Sequence, residues 1–324
     1  MPEPIINPNF DQKVFPGQER WVSDTDETGL GAVDAVSDES APRSAWGEAW
    51  LAMRRRPLFW VSAVIIALVL LVAFLPQLFT RVSPTFCELS NSLGSPTGEH
   101  IFGFDRQGCD IYARIIYGAG PSVTVGALTT LVVVIIGVVF GALAGYIGGW
   151  MDSLLSRLTD IFFAVPFVLG AIVFMQMFKD SRNIMMVVVV LAVFGWPQIA
   201  RITRGAVLET KNGEFVTAAR AIGVPEWRIL LTHVLPNAAA PIIVYATVAL
   251  GTFIVAEATL SFLGLGLPPD IVSWGGDIAK AQTSIRTDPM VLFIPSMALA
   301  ITVLSFIMMG DVVRDALNPK GNKR

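Results

Sequence analysis

The sequence predicts an all-α polytopic membrane protein, on three observations. Of its 324 residues, 53% are apolar and only 15% charged, and the mean hydropathy is +0.62; a water-soluble domain carries far more charge. Apolar runs recur along the chain, near 57–79, 123–146, 154–177, 184–202, 239–263 and 290–312, each long enough for a bilayer-crossing helix. Lysine and arginine divide unevenly between the two sets of connections, fourteen against seven. The richer set flanks the first run and lies in the second connection, in 203–237 and in the tail. By the positive-inside rule, both termini and 203–237 are therefore cytoplasmic.

Residues 1–50 differ from the rest. They hold ten acids, among them Asp24, Asp26 and Glu27, against Lys13, Arg20 and Arg43, with several Pro, Ser and Gly. Low hydrophobicity with excess charge cannot offset chain entropy, so this segment is expected to be a disordered acidic cytoplasmic tail. It is no signal peptide, because no apolar core follows a basic start. Phe15 and Trp21 are its only obvious anchors if it docks anywhere. Arg54, Arg55 and Arg56 then precede the first run, and the membrane-spanning region is expected to extend over 51–320 with a short tail at 321–324.

The loop 81–119 holds Cys87 and Cys109, the only cysteines. In this topology both face an oxidising compartment, where a bridge between them would be worth about 3 kcal/mol by the chain-entropy argument. Two free thiols are the alternative. Asp110 and Arg114 stand at i, i+4 and read as an ion pair on a solvated helix face. Further on, Arg157 and Asp160 lie one helical turn apart and are expected to neutralise each other. Glu257 falls late in its run and reads as a helix-end charge near the outer interface rather than a buried acid.

The polar-flanked stretch 214–237 is not a plain loop. Phe215, Ala218, Ala219 and Ile222 step i, i+3, i+4, i+7, which gives a helix one narrow face of small and apolar side chains. Gly223 is placed to close that helix, and Pro225 suits the first turn of the next. Trp227, Leu230, Leu231 and Val234 repeat the pattern until Pro236, which lacks the N–H that would continue the ladder. Two short helices with a sharp bend make a knuckle able to dock into a partner's groove, or else a hairpin packed on its own protein.

The wording of this stretch resembles the cytoplasmic coupling loop of ABC importer permeases, in which Glu-Ala-Ala is followed at set spacings by Gly and Leu-Pro. Ala218, Ala219, Gly223, Leu235 and Pro236 stand at matching places, with Thr217 where the pattern has Glu and His233 where it has Ile. The segment before the second run resembles the dipeptide and oligopeptide branch, through His100, Gly103, Asp105, Gly108, Asp110, Arg114, Tyr117 and Gly118. There Cys109 replaces an Arg, so a bridge from it is placed to take over the holding of the loop. Similar matches run through Gly145, Asp152 and Arg157, through Leu260 to Gly266 with Trp274 and Gly275, and through Gly310, Asp311 and Pro319.

The chain is thus identified as similar to the C-type permease of that branch, over about residues 50 to 320. The resemblance implies a type I ABC importer permease fold with six transmembrane helices and cytoplasmic coupling helices, in a bacterial plasma membrane. It implies a heterodimer with a second permease, two cytoplasmic ATPases that bind the ATP and Mg²⁺, and an extracytoplasmic substrate-binding protein. It places ATPase coupling on Phe215, Ala218, Ala219, Ile222, Gly223 and Pro236, and an external motif on Gly103, Asp105, Gly108, Asp110 and Arg114.

Absences fit this reading. The chain has no GxxxxGK followed by Ser or Thr, no HExxH, no nucleophile elbow and no Cys/His cluster, and its two histidines give little for metal binding or general-base work. It is expected to be no enzyme, with no cofactor of its own, lipid around it and no nucleic-acid partner. A carrier driven by an ion gradient and a non-transporting scaffold remain the alternatives. No residue is assigned to a substrate.

Overall fold

A computed structural model of the chain describes residues 45–317, and the description that follows is confined to them. The expectation for the acidic tail lies outside these residues up to 44, but its last part needs correction. Helix α1 (Ala45–Arg54) begins within it. Its Ala, Leu, Met and Arg content favours a helix, Ala49 is buried, and Trp50 meets Phe59 edge-on at 5.6 Å.

Helix α2 (Pro57–Phe74) starts with proline in its first turn, where the missing N–H costs nothing. It stops short of the expected end because Pro76 opens a separate 3₁₀ turn, Pro76–Leu78. Helix α3 (Ile111–Ile147) begins well before the expected position near 123. Its 37 residues span about 55 Å at 1.5 Å per residue, against about 30 Å of hydrocarbon. Its first turns therefore stand clear of the apolar layer.

The third expected crossing, 154–177, is not one straight helix. Helix α4 (Gly149–Ala164) and helix α5 (Phe167–Met177) meet at 80°. Pro166 is the cause: it forces Val165 into an extended conformation, with φ −94° and ψ 119°. Among the described residues, five helices are long and apolar enough to cross a membrane, or up to six if this bent pair counts as one span.

Helix α6 (Ile184–Thr210) runs on past the expected end near 202. Helix α7 (Glu214–Ala221) follows, and then helix α8 (Glu226–Phe262). A further correction concerns Pro236, which does not end the knuckle's second helix. A π-helical turn, Leu230–Val234, passes the ladder across it, and Pro236 falls in the first turn of the continuing α-helix, where no N–H is needed. Helix α9 (Trp274–Ala281) and helix α10 (Met290–Leu317) complete the chain.

The main core lies between α3, α6 and α8, with Val133, Val187, Leu191, Ile199 and Phe253 buried in it. Helices α3 and α6 touch nearly backbone to backbone, since a Cβ on Gly141 would sit 2.4 Å from the Ala200 carbonyl oxygen. Outward faces are apolar instead, as in the α3 stripe Leu131, Ile135 and Val139, each more than half exposed. That inversion of the water-soluble pattern is what a lipid or subunit environment selects.

Candidate functional site

The knuckle forms because two turns of sequence cap each other. Gly223 has φ +82°, a conformation costly for any residue with a Cβ. Around it the Val224 N–H donates to the Ala219 carbonyl at 3.1 Å and the Gly223 N–H to that of Arg220 at 3.0 Å. This is a Schellman closure, and it turns α7 sharply into Pro225 and the start of α8. Underneath, Val216, Ala219, Ile229 and Val234 are buried together with Ala142 of α3 and Val207 of α6. The knuckle is thereby seated on the ends of two long helices.

Polar clamps fix it there. Arg220 Nε donates to Glu226 Oε1 at 2.8 Å and Nη2 to Oε2 at 3.1 Å, and the Tyr146 hydroxyl at the end of α3 donates to the same carboxylate. Bonding to Glu226 raises the pKa of the Arg220 guanidinium above its ordinary value. Lys211 Nζ donates to the Gly145 carbonyl at 2.6 Å, satisfying an acceptor in the last turn of α3. Asp152 at the start of α4 grips Arg204 of α6 with both carboxylate oxygens along one guanidinium edge, Oδ1 accepting from Nε and Oδ2 from Nη2 at 2.7 Å.

Of the residues expected to carry coupling, Phe215, Ala218, Ile222, Gly223 and Pro236 are exposed, Ile222 at 81%. Ala219 is not. It turns inward at 6% exposure because it shares the buried side of α7 with Val216, three residues away, so it seats the knuckle rather than facing a partner. Trp227 and Leu231 extend the exposed apolar surface, at 67% and 55%.

At the opposite end a compact loop is folded around the external motif. Cys87 and Cys109 are joined in a disulfide. Gly108, at φ +76°, lets the chain pass so close that a Cβ would lie 1.8 Å from the Glu88 carbonyl oxygen, and Gly103, at φ +71°, is confined less tightly beside the Gly94 carbonyl. Asp105 accepts the N–H groups of Gln107 and Cys109 at 2.8 and 2.9 Å, closing the turn between them.

The expected Asp110–Arg114 pair does not form. Asp110 is committed as the N-cap of α3, accepting from the Ala113 N–H at 2.6 Å, and its other oxygen meets His100 Nδ1 at 2.6 Å. Arg114 is buried instead and donates to Asp277 of α9, its Nε at 2.9 Å, and to the Pro84 carbonyl at 3.1 Å, with Asp105 3.8 Å away. Burial pushes the Asp277 carboxyl above its usual range, with Arg114 opposing the shift, and burial lowers the Lys280 ammonium.

Two more expectations are corrected by packing. Asp160 pairs with Arg201 at 3.2 Å, across to α6, rather than with Arg157, which is exposed on its own helix. Glu257 is fully buried, and its Oε1 accepts from the Ser261 hydroxyl at 2.7 Å. Helix α9 folds over this end of α8 so tightly that a Cβ on Gly275 would sit 2.5 Å from Ala258 Cα. Asp277, Glu226, Tyr146 and Lys211 carried no signal in sequence. Each acts on a partner 65 to 163 residues away, except for the Arg220–Glu226 contact across the bend.

Residues 137–323 match the family model described as binding-protein-dependent transport system inner membrane component, and 44–93 match the N-terminal TM domain of oligopeptide transport permease C. The chain is 35% identical over 293 residues to an oligopeptide transport system permease protein of Bacillus subtilis, covering 90% of this chain and 95% of that one. It is 37% identical over 283 residues to a dipeptide transport system permease protein of Alkalihalophilus pseudofirmus, covering 87% and 92%. A glutathione transport system permease protein of Escherichia coli is 35% identical over 295 residues, covering 91% and 96%. Among solved structures, an inward-facing form of the MetNI methionine ABC transporter aligns with a TM-score of 0.53 at 23% identity, covering 63% of this chain and 96% of that one.

Proposed function

Because this chain belongs to the family of binding-protein-dependent transport system inner membrane components, we propose that its knuckle, 214–237, is the joint through which cytoplasmic ATPases move it. The chain is the membrane permease subunit of an ABC importer, with a type I fold and several passes through a bacterial membrane. It is a non-catalytic subunit, and ATP hydrolysis lies in separate ones. The gradient-driven carrier and the scaffold are thereby set aside.

The finer assignments are ours. The cargo is a di- or oligopeptide, in keeping with what the relatives are named for. A second permease completes the path, two ATPases bind ATP and Mg²⁺, and an extracytoplasmic binding protein delivers the cargo. Both termini and the knuckle face the cytoplasm, on the fourteen-to-seven division of basic residues.

The observation that carries the coupling reading is the pairing of a rigid seat with an exposed apolar crown. Phe215, Ile222 and Trp227 stand in solvent on a bend whose reverse side is packed against the ends of α3 and α6. A surface so fastened passes displacement directly to the spans. The test uses the assembled importer with Ile222→Asp and Gly223→Leu. Both variants should insert and assemble, with ATP hydrolysis continuing while peptide uptake falls at least about tenfold, the scale of one lost coupling contact. Undiminished uptake in both would refute the joint.

A further inference from the structure

The disulfide end holds a cavity of about 160 Å³ between the start of α3, helix α9 and the start of α10. It has room for several waters or one amino-acid unit. Its rim, Arg106, Gln107 and Thr283, is exposed, so the cavity opens to solvent. One wall is apolar, made by Ile111, Ile115, Val291 and Pro295.

The polar groups inside are incompletely used. Asp277, 9% exposed, spends Oδ1 on Arg114 and leaves Oδ2 with no hydrogen-bond partner among the described residues. The Ser284 hydroxyl, on a residue 1% exposed, is likewise without one. Lys280 lines the same space, half-buried; its carbonyl accepts from the Thr283 hydroxyl at 3.1 Å, but its ammonium makes no hydrogen bond or ion pair among the described residues. Buried polar groups left this way cost free energy until something satisfies them.

The arrangement restricts what that something is. A simple anion would face Asp277 Oδ2 and Asp105, and a simple cation would face Lys280 and Arg106. A group with a donor and an acceptor a few ångströms apart satisfies both sides. We propose that this cavity binds one terminal unit of a short peptide: an ammonium or amide N–H on Asp277 Oδ2 and the Ser284 hydroxyl, a carboxylate or carbonyl oxygen on Lys280, and the side chain against Ile115, Val291 and Pro295. The identification of the ligand as peptide rests on the cargo proposed above; the cavity and its unpaired groups do not. The ethanolamine phosphate headgroup of a lipid has the same paired chemistry and is the competing source.

The test is direct binding to the purified full-length chain in detergent, followed by calorimetry or thermal unfolding. The probes are glycyl-leucine, its neutral form N-acetyl-glycyl-leucinamide, and glycerophosphoethanolamine. Glycyl-leucine should bind saturably, and Lys280→Met should weaken it about tenfold, as loss of a charged hydrogen bond does. Ser284→Ala should weaken it less, and the neutral form should bind the unaltered chain about as weakly as glycyl-leucine binds Lys280→Met. No saturable binding of glycyl-leucine, or binding unchanged in both variants, overturns the proposal. Binding of glycerophosphoethanolamine alone overturns it in favour of lipid. Peptide uptake by the assembled importer is scored separately: uptake without binding here refutes this site and spares the cargo, whereas binding without uptake refutes the cargo.

Discussion

The two ends of the molecule are fastened in opposite ways. At the disulfide end the fastenings are a covalent bond and a buried ion pair, Cys87–Cys109 and Arg114–Asp277. At the knuckle end they are mostly ion pairs in or near solvent, Arg220–Glu226 and Asp160–Arg201 among them, over a small buried seat. Exposed pairs are screened and contribute little, whereas a buried pair is expensive to break from one side. The difference separates what is fixed from what can rearrange: the motif loop is locked to α9, whereas at the knuckle the apolar seat stays packed and only the surface ion pairs above it can exchange partners at small cost.

That contrast can be broken at its strongest point. Arg114→Leu leaves Asp277 buried without its cation and should destabilise the chain by about 3–5 kcal/mol. Thermal unfolding in detergent would show it, and an unchanged midpoint would mean the pair is not the lock. Replacing Asp277 as well, by Asn, should recover part of the loss, because the uncompensated charge is then gone.

Next in size is the covalent fastening. Cys87→Ser opens a bridge with a sequence separation of 22 and should cost about 3 kcal/mol. Limited proteolysis within 81–110 should quicken while cleavage near 210–225 stays as before. Equal acceleration at both places would mean the ends are not independent.

The smallest effect is expected at the knuckle. Glu226→Gln removes the negative charge at an exposed position and turns one of the two oxygens that accept from Arg220 and Tyr146 into a donor, and the unfolding midpoint should not move measurably. The informative readout is proteolysis at the bend, which should quicken on its own. A large drop in stability would show that this clamp belongs with the buried kind.

The fold was readable because a bilayer leaves few options: backbone groups must be bonded within each segment, so long apolar runs are helices. Gly223 and Pro225 gave away the bend by their backbone preferences alone. Pro236 misled for the same reason, since a local rule could not foresee that a π turn would carry the helix past it. Charge partners were the least legible. Asp110 lies four residues before Arg114, yet capping α3 claimed it, and Arg114 reached Asp277 across 163 residues, a contact made by tertiary packing. Ala219 and Glu257 failed similarly, because a helical repeat shows that a face exists and not which neighbour covers it.

The continuity of α8 has a mechanical consequence. From Glu226 to Phe262 it is a lever of 37 residues, about 55 Å long, with one end in the knuckle and the other under α9. Tilting such an arm by about ten degrees sweeps its far tip through about 10 Å, several times the shift of the side chains that start the motion. Its softest points are the π turn and the prolines at 236 and 241, all near the knuckle end. A stroke applied at the bend therefore reaches the remote end diminished only by whatever flexing those turns allow.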